Sequence, residues 1–439
     1  MNPPVVEASS IRASVVRMGL PAAAAMFVGT LYAPIDLWCA GRLGADAVVA
    51  VSFAAPIFFV LMAFSVGLAQ AATALIGRQL GAGESAAARQ TWTHALLLAV
   101  GLGGVLTIAG LWGATLMLAG QGASGEALRL AREFSAVLFG GAAAFLLVAT
   151  VNSALVASGD ARPNFWFLFG GAFANLLLNF LLMGKWGVAG IAASTVIVQL
   201  AGMLGLYWVA HRRGWVLGRL TMVRADVFRA LLRQAAPNVA NMLMIPVAVF
   251  LVTRQVATFG QDAVAAYGFA LRIEHLFSMP LIGFVSSVLP LASRARGAGD
   301  LRSAFRIWST GLGLASLVAL AASLLLLATV PKLCVYSGLT GSASGHLGQY
   351  LAYAAVALPA YPVLFSVVFF MQALGRPEYG MWMGLARHCI APFLLLPLFA
   401  AWYGLQGVWV AIVVIAWAAA FVALWLASRQ ANARAGSAA

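Results

Sequence analysis

Twelve acidic residues are spread through this 439-residue chain, and only Asp36 and Glu274 lie inside apolar sequence. Asp36 follows the apolar run that begins at Met18 and precedes Leu37-Trp38-Cys39. An aspartate at the centre of a membrane helix costs about 2.5–3.5 kcal/mol on the insertion scale, which marks Asp36 as a candidate for carrying a proton or an ion. The competing reading is an interfacial carboxylate facing water. Asn175 and Asn179 are four residues apart and share one helix face, and Thr195 lies in the next apolar run. At about 1.5 Å per residue, their distances from Arg42 and Lys185 put Asp36, Asn179 and Thr195 at similar depth. A carboxylate, two amides and a hydroxyl suit a proton or a small hard cation such as Na⁺. The alternative is that the amides and the hydroxyl only bond between helices.

Glu274 occurs in Arg272-Ile273-Glu274-His275. Residues two apart do not face each other on a helix, so the two charges need partners on other helices. The readings are a structural ion pair or a role in substrate binding or coupling. Met26, Met62 and Met279, with phenylalanines nearby, are candidates for an adaptable apolar cavity, against ordinary packing or lipid contact. Pro34 falls within a span and marks a kink. The five histidines have no HExxH spacing, and the three cysteines are scattered. Gly101-Leu102-Gly103-Gly104 lacks the Lys-Ser/Thr of a phosphate loop and reads as close helix packing. No cofactor or metal is expected beyond a coupling ion, H⁺ or Na⁺, at Asp36.

The elements that hold these residues are helices in a membrane. Charged residues are 9% of the chain and hydrophobic ones 63%, where a soluble domain has about 25% charged residues. Mean hydropathy is +0.95. A soluble enzyme is excluded. Spans of about 20 apolar residues are predicted at 14–39, 47–77, 91–118, 128–157, 164–184, 188–210, 233–257, 263–293, 305–330, 347–373, 379–401 and 406–428. Of the 26 basic residues, 18 fall in the even-numbered connections and termini and 6 in the odd ones. The positive-inside rule then places both termini in the cytoplasm. The net charge of +14 expresses orientation, and no nucleic-acid partner is expected.

The chain also repeats itself. Pro21 recurs as Pro237, Gly44-Ala-Asp46 as Gly260-Gln-Asp262, Gly67 as Gly283, Arg78 as Arg294, and Gly81-Ala-Gly83 as Gly297-Ala-Gly299. The offset between the copies stays constant to within a single position as far as Gly187 and Gly404. An even number of spans separates the copies, so the repeat is parallel. The expected fold is an all-α polytopic membrane protein of 12 transmembrane helices in two pseudo-symmetric six-helix bundles. The expected limits are a first lobe over 12–211, a basic cytoplasmic linker over 212–232, a second lobe over 233–428 and a cytoplasmic tail over 429–439. Such architecture suggests alternating access by rocking of the lobes.

Leu20-Pro21, Ile35-Asp36, Gly41-Arg42-Leu43-Gly44-Ala45, Leu80-Gly81-Ala82-Gly83, Ala157-Ser158-Gly159-Asp160-Ala161-Arg162-Pro163, Asn175-Leu-Leu-Leu-Asn179, Ala236-Pro237 and Leu271-Arg272-Ile273-Glu274 together resemble the multidrug and toxic compound extrusion (MATE) family of cation-coupled exporters. The resemblance covers residues 12–428. It implies two V-shaped bundles about a central cavity, with H⁺ or Na⁺ bound at Asp36 alongside Asn175, Asn179 and Thr195, and bending of the first helix at Pro21. Acidic ligands of another branch would fall near Ile245 and Val363, neither of which is acidic. The chain is therefore closer to the branch similar to the DNA-damage-inducible protein F, and Asn179 in place of an aspartate favours H⁺. The resemblance implies an antiporter, not an enzyme, in a bacterial-type inner membrane. It would act as a monomer among membrane lipids and export small amphiphilic, cationic organic compounds. The alternative is a lipid-linked oligosaccharide flippase of the same superfamily, although only Arg272 and Arg387 fall inside spans to meet phosphate.

Overall fold

The structure, a computed structural model, describes residues 8–121, 124–218 and 224–435. The linker residues 219–223 and tail residues 436–439 of the sequence reading lie outside the described residues. In chain order the helices are α1 (Ala8–Gly29), α2 (Tyr32–Gly41), α3 (Ala45–Gly81), α4 (Ser85–Gly120), α5 (Gly125–Gly140), α6 (Ala142–Ala157) and α7 (Arg162–Arg212). Then come α8 (Ala225–Ala257), α9 (Gln261–Val285), α10 (Val288–Gly297), α11 (Leu301–Tyr336), α12 (Gly341–Ala357), α13 (Ala360–Ala373), α14 (Glu378–Leu385) and α15 (Ala391–Ala435), with a π-helical turn at Ala386–Ile390.

Eight helical stretches are long and apolar enough to cross a membrane, and ten if each bent pair counts as one span. Two of the ten are hairpins. In α7 the helix breaks at Gly187 (φ 55°, ψ −134°), and in α15 at Gly404 (φ 60°, ψ −142°). Only glycine adopts such backbone angles readily. A Cβ on Gly190 would stand 2.6 Å from the Leu182 carbonyl carbon, and one on Gly407 would stand 2.6 Å from that of Phe399. Each pair of arms therefore folds back closely on itself. Counting the hairpins as two spans each brings the total to the twelve expected.

Several boundaries differ from the expected ones. The first span is broken at Thr30-Leu31. Pro34 has no N–H to offer the Thr30 carbonyl, and the turn closes through Leu31 N–H to Val28 O at 3.0 Å instead. α1 passes through Pro21 unbroken to Gly29, and the break lies just before Pro34, one of the two prolines expected to bend this span. The fourth and tenth spans are each bent, by 43° at Gly141 and by 46° at Leu358-Pro359. The seventh span begins at Ala225 rather than 233, which shortens the linker.

The repeat is visible as repeated contacts. Trp92 Nε1 donates to the Thr150 carbonyl at 3.2 Å, and Trp308 Nε1 donates to Ser366 Oγ at 3.2 Å. Thr107 Oγ1 donates to the Phe139 carbonyl at 2.6 Å, and Ser323 Oγ to the Ala355 carbonyl at 2.5 Å. Both contacts thus join corresponding positions in the two repeats, with a carbonyl acceptor at Thr150 and a hydroxyl at Ser366.

The packing units do not follow the two expected lobes residue by residue. One unit comprises Phe27–Ala240 with Ser293–Gly299, and the other comprises the chain up to Met26, Asn241–Ala292 and Asp300 onward. The reason is an exchange. In the first unit Gly67 of α3 is packed so closely on Val239 of α8 that a Cβ would stand 2.5 Å from its side chain. In the second unit Gly283 of α9 is packed likewise on α1, 2.9 Å from Ala23 Cα. The early part of each repeat's first helix thus packs in the unit built mainly from the other repeat. The first unit is filled around Leu61, Leu68, Phe145, Leu146 and Ile191, and the second around Tyr267, Tyr350, Leu396 and Trp409.

Candidate functional site

The expected polar residues of the first repeat meet. Asp36 lies on α2, one helical turn after Tyr32. Asn175 and Asn179 lie on the first arm of α7, and Thr195 on the second arm. The Gly187 reversal brings residues that are far apart along the helix side by side. Asn179 Nδ2 donates to Asp36 Oδ1 at 2.9 Å and to Asn175 Oδ1 at 3.3 Å. Thr195 Oγ1 is 3.4 Å from Asp36 Oδ2. Asn175 Nδ2 donates to Thr195 Oγ1 at 3.1 Å and to Ser194 Oγ at 3.2 Å. The Ser194 hydroxyl is shared between Asn179 Oδ1 and the Ile191 carbonyl, 2.7 Å away.

Asn175, Asn179 and Ser194 are fully buried, and Asp36 is partly buried. Among the described residues Asp36 makes no ion pair. Its hydrogen-bonding partners among the described residues are neutral side chains. Arg42, the nearest cation in sequence, lies over the rings of Trp38 and Phe180, at 4.5 and 5.4 Å from their centres. The set is unique to the first repeat. At the corresponding positions of the second repeat stand Val252 for Asp36, Ala391 for Asn175, Leu395 for Asn179, Ala411 for Ser194 and Ile412 for Thr195.

Two residues of this site escape the sequence reading. Ser194 connects both asparagines, and its signal was its place beside Thr195 in an otherwise apolar run. Tyr32 donates its hydroxyl to the Leu168 carbonyl at 3.1 Å and occupies the space a side chain on Gly171 would fill. It therefore ties α2 to α7 on the face that carries Asp36, and no short motif announces it.

The other candidates do not join this group. Glu274 is buried in the second unit, where it accepts hydrogen bonds from the hydroxyls of Tyr350 and Tyr361. It makes no ion pair among the described residues, so the structural ion-pair reading is corrected. Arg272 is exposed and takes no part in the Glu274 cluster. Met26 is exposed, and Met62 and Met279 are half-buried. A pocket of about 480 Å³ is lined by Gly110, Ala114, Leu128, Arg129, Arg132 and Glu133 among others, and by none of the three methionines. Among the described residues no group of three or more His, Cys, Asp or Glu side chains is placed to hold a metal ion.

The comparisons with known proteins agree with this scaffold. The model of the MatE family matches residues 21–181 and 237–397, two blocks that stand in the same register as the internal repeat. The probable multidrug resistance protein YoeA of Bacillus subtilis is 26% identical over 293 residues, covering 64% of this chain and 63% of that protein. The chain thus spans a little under two thirds of that relative's length. The FAD transporter of Shewanella oneidensis is 25% identical over 387 residues, covering 85% of this chain and 84% of that protein. The solved structure of a MOP superfamily transporter from Pyrococcus furiosus superposes with a TM-score of 0.90 at 25% identity, covering 95% of this chain and 96% of that one. The fold, the repeat and the family match agree: the chain belongs to the MatE family, whose members are transporters and not enzymes.

Proposed function

We propose that this protein is a multidrug efflux antiporter of the bacterial inner membrane, with cytoplasmic termini, coupled to H⁺ in preference to Na⁺ and working by alternating access. The observation that carries the reading is Asp36, held by α2 against both arms of α7 with neutral partners only. Such a carboxylate exchanges its compensating charge between a proton and a cationic amphiphile without rebuilding an ion pair. The orientation of the amides supports H⁺. Asn179 turns its N–H, not its oxygen, towards Asp36, and its Oδ1 and that of Asn175 already accept bonds. A metal cation needs oxygen lone pairs, and for the Asn179 oxygen to join Asp36 in holding one its amide would have to turn.

The test is efflux of ethidium from proteoliposomes, with ΔpH and a Na⁺ gradient imposed separately, for wild type and Asp36→Asn. The expected result is transport driven by ΔpH alone and lost in the variant. Wild-type rates in a folded Asp36→Asn protein would overturn the role of Asp36, and transport driven by Na⁺ alone would reverse the choice of ion.

A second reading follows from the similarity to the Shewanella FAD transporter, which extends over 85% of this chain. In that reading the substrate is an anionic flavin dinucleotide. FAD offered in the same liposomes separates the two, because a carrier for FAD moves it where ethidium stays.

A further inference from the structure

The two repeats differ in a second place, and there the polar residues are in the second repeat. In the register of the repeat, Glu274, Tyr350 and Tyr361 correspond to Phe58, Phe134 and Phe145. In the first unit these phenylalanines are ordinary core. Phe134 and Phe145 are buried, and the Phe58 and Phe145 rings meet edge to face at 5.4 Å. The backbone around the two trios is alike. Tyr361 follows the 46° bend between α12 and α13, as Phe145 follows the 43° bend between α5 and α6. Three aromatic rings therefore fill this position adequately, and packing does not require a carboxylate and two phenols there.

Burying a carboxylate costs several kcal/mol of desolvation unless its lone pairs are met. In the second repeat they are met by both tyrosine hydroxyls. A positive group touches one of these tyrosines from its ring face. The Arg387 guanidinium lies over the Tyr361 ring, 5.2 Å from its centre, on the π-helical turn at Ala386–Ile390. π turns concentrate at functional positions, and the matching residues of α7 are plain α-helix. Tyr267 of the same helix as Glu274 completes the surround, stacked near Trp409 and edge-on to Tyr350. Arg272 and His275 of α9 are exposed. The π-helical turn carries His388 beside Arg387, and α14 carries Glu378 at its start. The charged residues of α11 (Arg302, Arg306 and Lys332) stand at its ends. α13 carries no charged residue, α15 none before Arg429, and α12 carries His346 besides the phenols of Tyr350 and Tyr353.

We propose that Glu274, with Tyr350 and Tyr361, is a second proton-exchange site, carried by the second repeat alone. The ligand is a proton, not a metal ion or an organic cation. Both carboxylate oxygens already face hydroxyl hydrogens, and the rings of Tyr267, Tyr350 and Trp409 pack against one another. A hydronium ion gives its proton to one Glu274 oxygen, forming an O–H bond there and leaving a water molecule. That O–H then donates to the phenol oxygen from which the carboxylate formerly accepted, and the phenol hydrogen turns to the water left behind. Loss of the proton reverses this, and no other bond changes. The two repeats then each hold one exchangeable carboxyl, at places that do not correspond. The inference builds on the proton-coupled carrier proposed above.

The test uses full-length purified protein and pH-difference infrared spectroscopy of the protonated-carboxyl stretch, for wild type, Asp36→Asn, Glu274→Gln and the triple variant Glu274→Phe/Tyr350→Phe/Tyr361→Phe. Ethidium transport under ΔpH is measured alongside. Glu274→Gln is expected to remove one carboxyl component that Asp36→Asn leaves in place, and to bring transport down to that of empty liposomes. The triple variant copies the first repeat's core, so it is expected to fold and yet fail to transport. Wild-type transport by the folded triple variant, or a carboxyl spectrum unchanged by Glu274→Gln, would overturn the proposal. If the triple variant does not fold, Glu274→Gln decides alone. Spectra altered by Asp36→Asn but not by Glu274→Gln would sink this inference and leave the reading of Asp36 standing, and the converse would do the opposite.

Discussion

A single methyl group at Gly81 tests whether the repeat is a physical joint as well as a sequence pattern. Within the first unit Gly81, at the end of α3, lies against the backbone of Arg294 in α10. A Cβ there would run into the Arg294 carbonyl oxygen and stand 2.8 Å from its carbonyl carbon and 2.9 Å from its Cα. Ordinary contacts begin at 3.4 Å, so the helices would have to part by at least about half an ångström, and more at the oxygen. Both sides are backbone, and no side chain can swing aside. The repeat mate behaves alike: a Cβ on Gly297 would meet the Arg78 carbonyl, with Arg78 Cα at 3.0 Å. Overpacking of this kind costs about 1–3 kcal/mol. Gly81→Ala and Gly297→Ala are each expected to destabilise the protein by that much. The double variant should cost less than the sum, because the first substitution already separates the two helices that the second would push apart. The assay is thermal unfolding of detergent-purified protein followed by tryptophan fluorescence, with efflux measured on the same preparations. An unchanged Tm in both single variants, or strictly additive losses in the double one, would refute a shared close contact.

Two further tests concern stability. Gly101, Gly103 and Gly104 share one short stretch of α4, yet a Cβ at Gly103 would stand 2.5 Å from Ala143 Cα while Gly101 and Gly104 meet nothing within 4 Å. Gly103→Ala should therefore lower Tm, at a cost of about 1–3 kcal/mol, whereas Gly101→Ala and Gly104→Ala should raise it by up to about 1 kcal/mol through helix propensity; the same sign at all three positions would contradict the packing. Asp300 caps α11 by accepting the Ser303 N–H at 2.8 Å, and the hydrogen bonds from Ser303 hold its carboxyl below the ordinary range. Asp300→Ala should cost about 0.5–2 kcal/mol at neutral pH. A depressed pKa stabilises above the unfolded value and loses that contribution as pH falls through the folded one, so the gap between variant and wild type should close below about pH 4. Denaturation curves that stay equally far apart in acid would show that the charge is not what caps the helix.

The sequence by itself determined the class of the molecule and much of its scaffold. Composition admits a membrane protein and little else, because so few charged residues leave no soluble surface. The constant offset between Pro21 and Pro237, and between Gly81 and Gly297, reports two copies of one bundle, and Trp92 and Trp308 make matching bonds in each. Asp36, Asn175, Asn179 and Thr195 were legible because polar side chains are costly, and therefore conspicuous, in apolar helices. Tertiary structure decided what spacing along one helix cannot express. The reversal at Gly187 sets Ser194 between two asparagines of the opposite arm, so a serine that looks incidental becomes part of the site. Glu274 was conspicuous, but its partners were not, since Arg272 beside it in sequence points elsewhere and two tyrosines far along the chain, Tyr350 and Tyr361, supply its hydrogen bonds. The first span breaks at Thr30-Leu31, just before Pro34, while the helix runs unbroken through Pro21; sequence marks both prolines alike, and only the fold separates them. The packing units exchange the early turns of α1 and α8 for the same kind of reason: Gly67 and Gly283 admit those helices at van der Waals contact, and close approach is a property of two surfaces together.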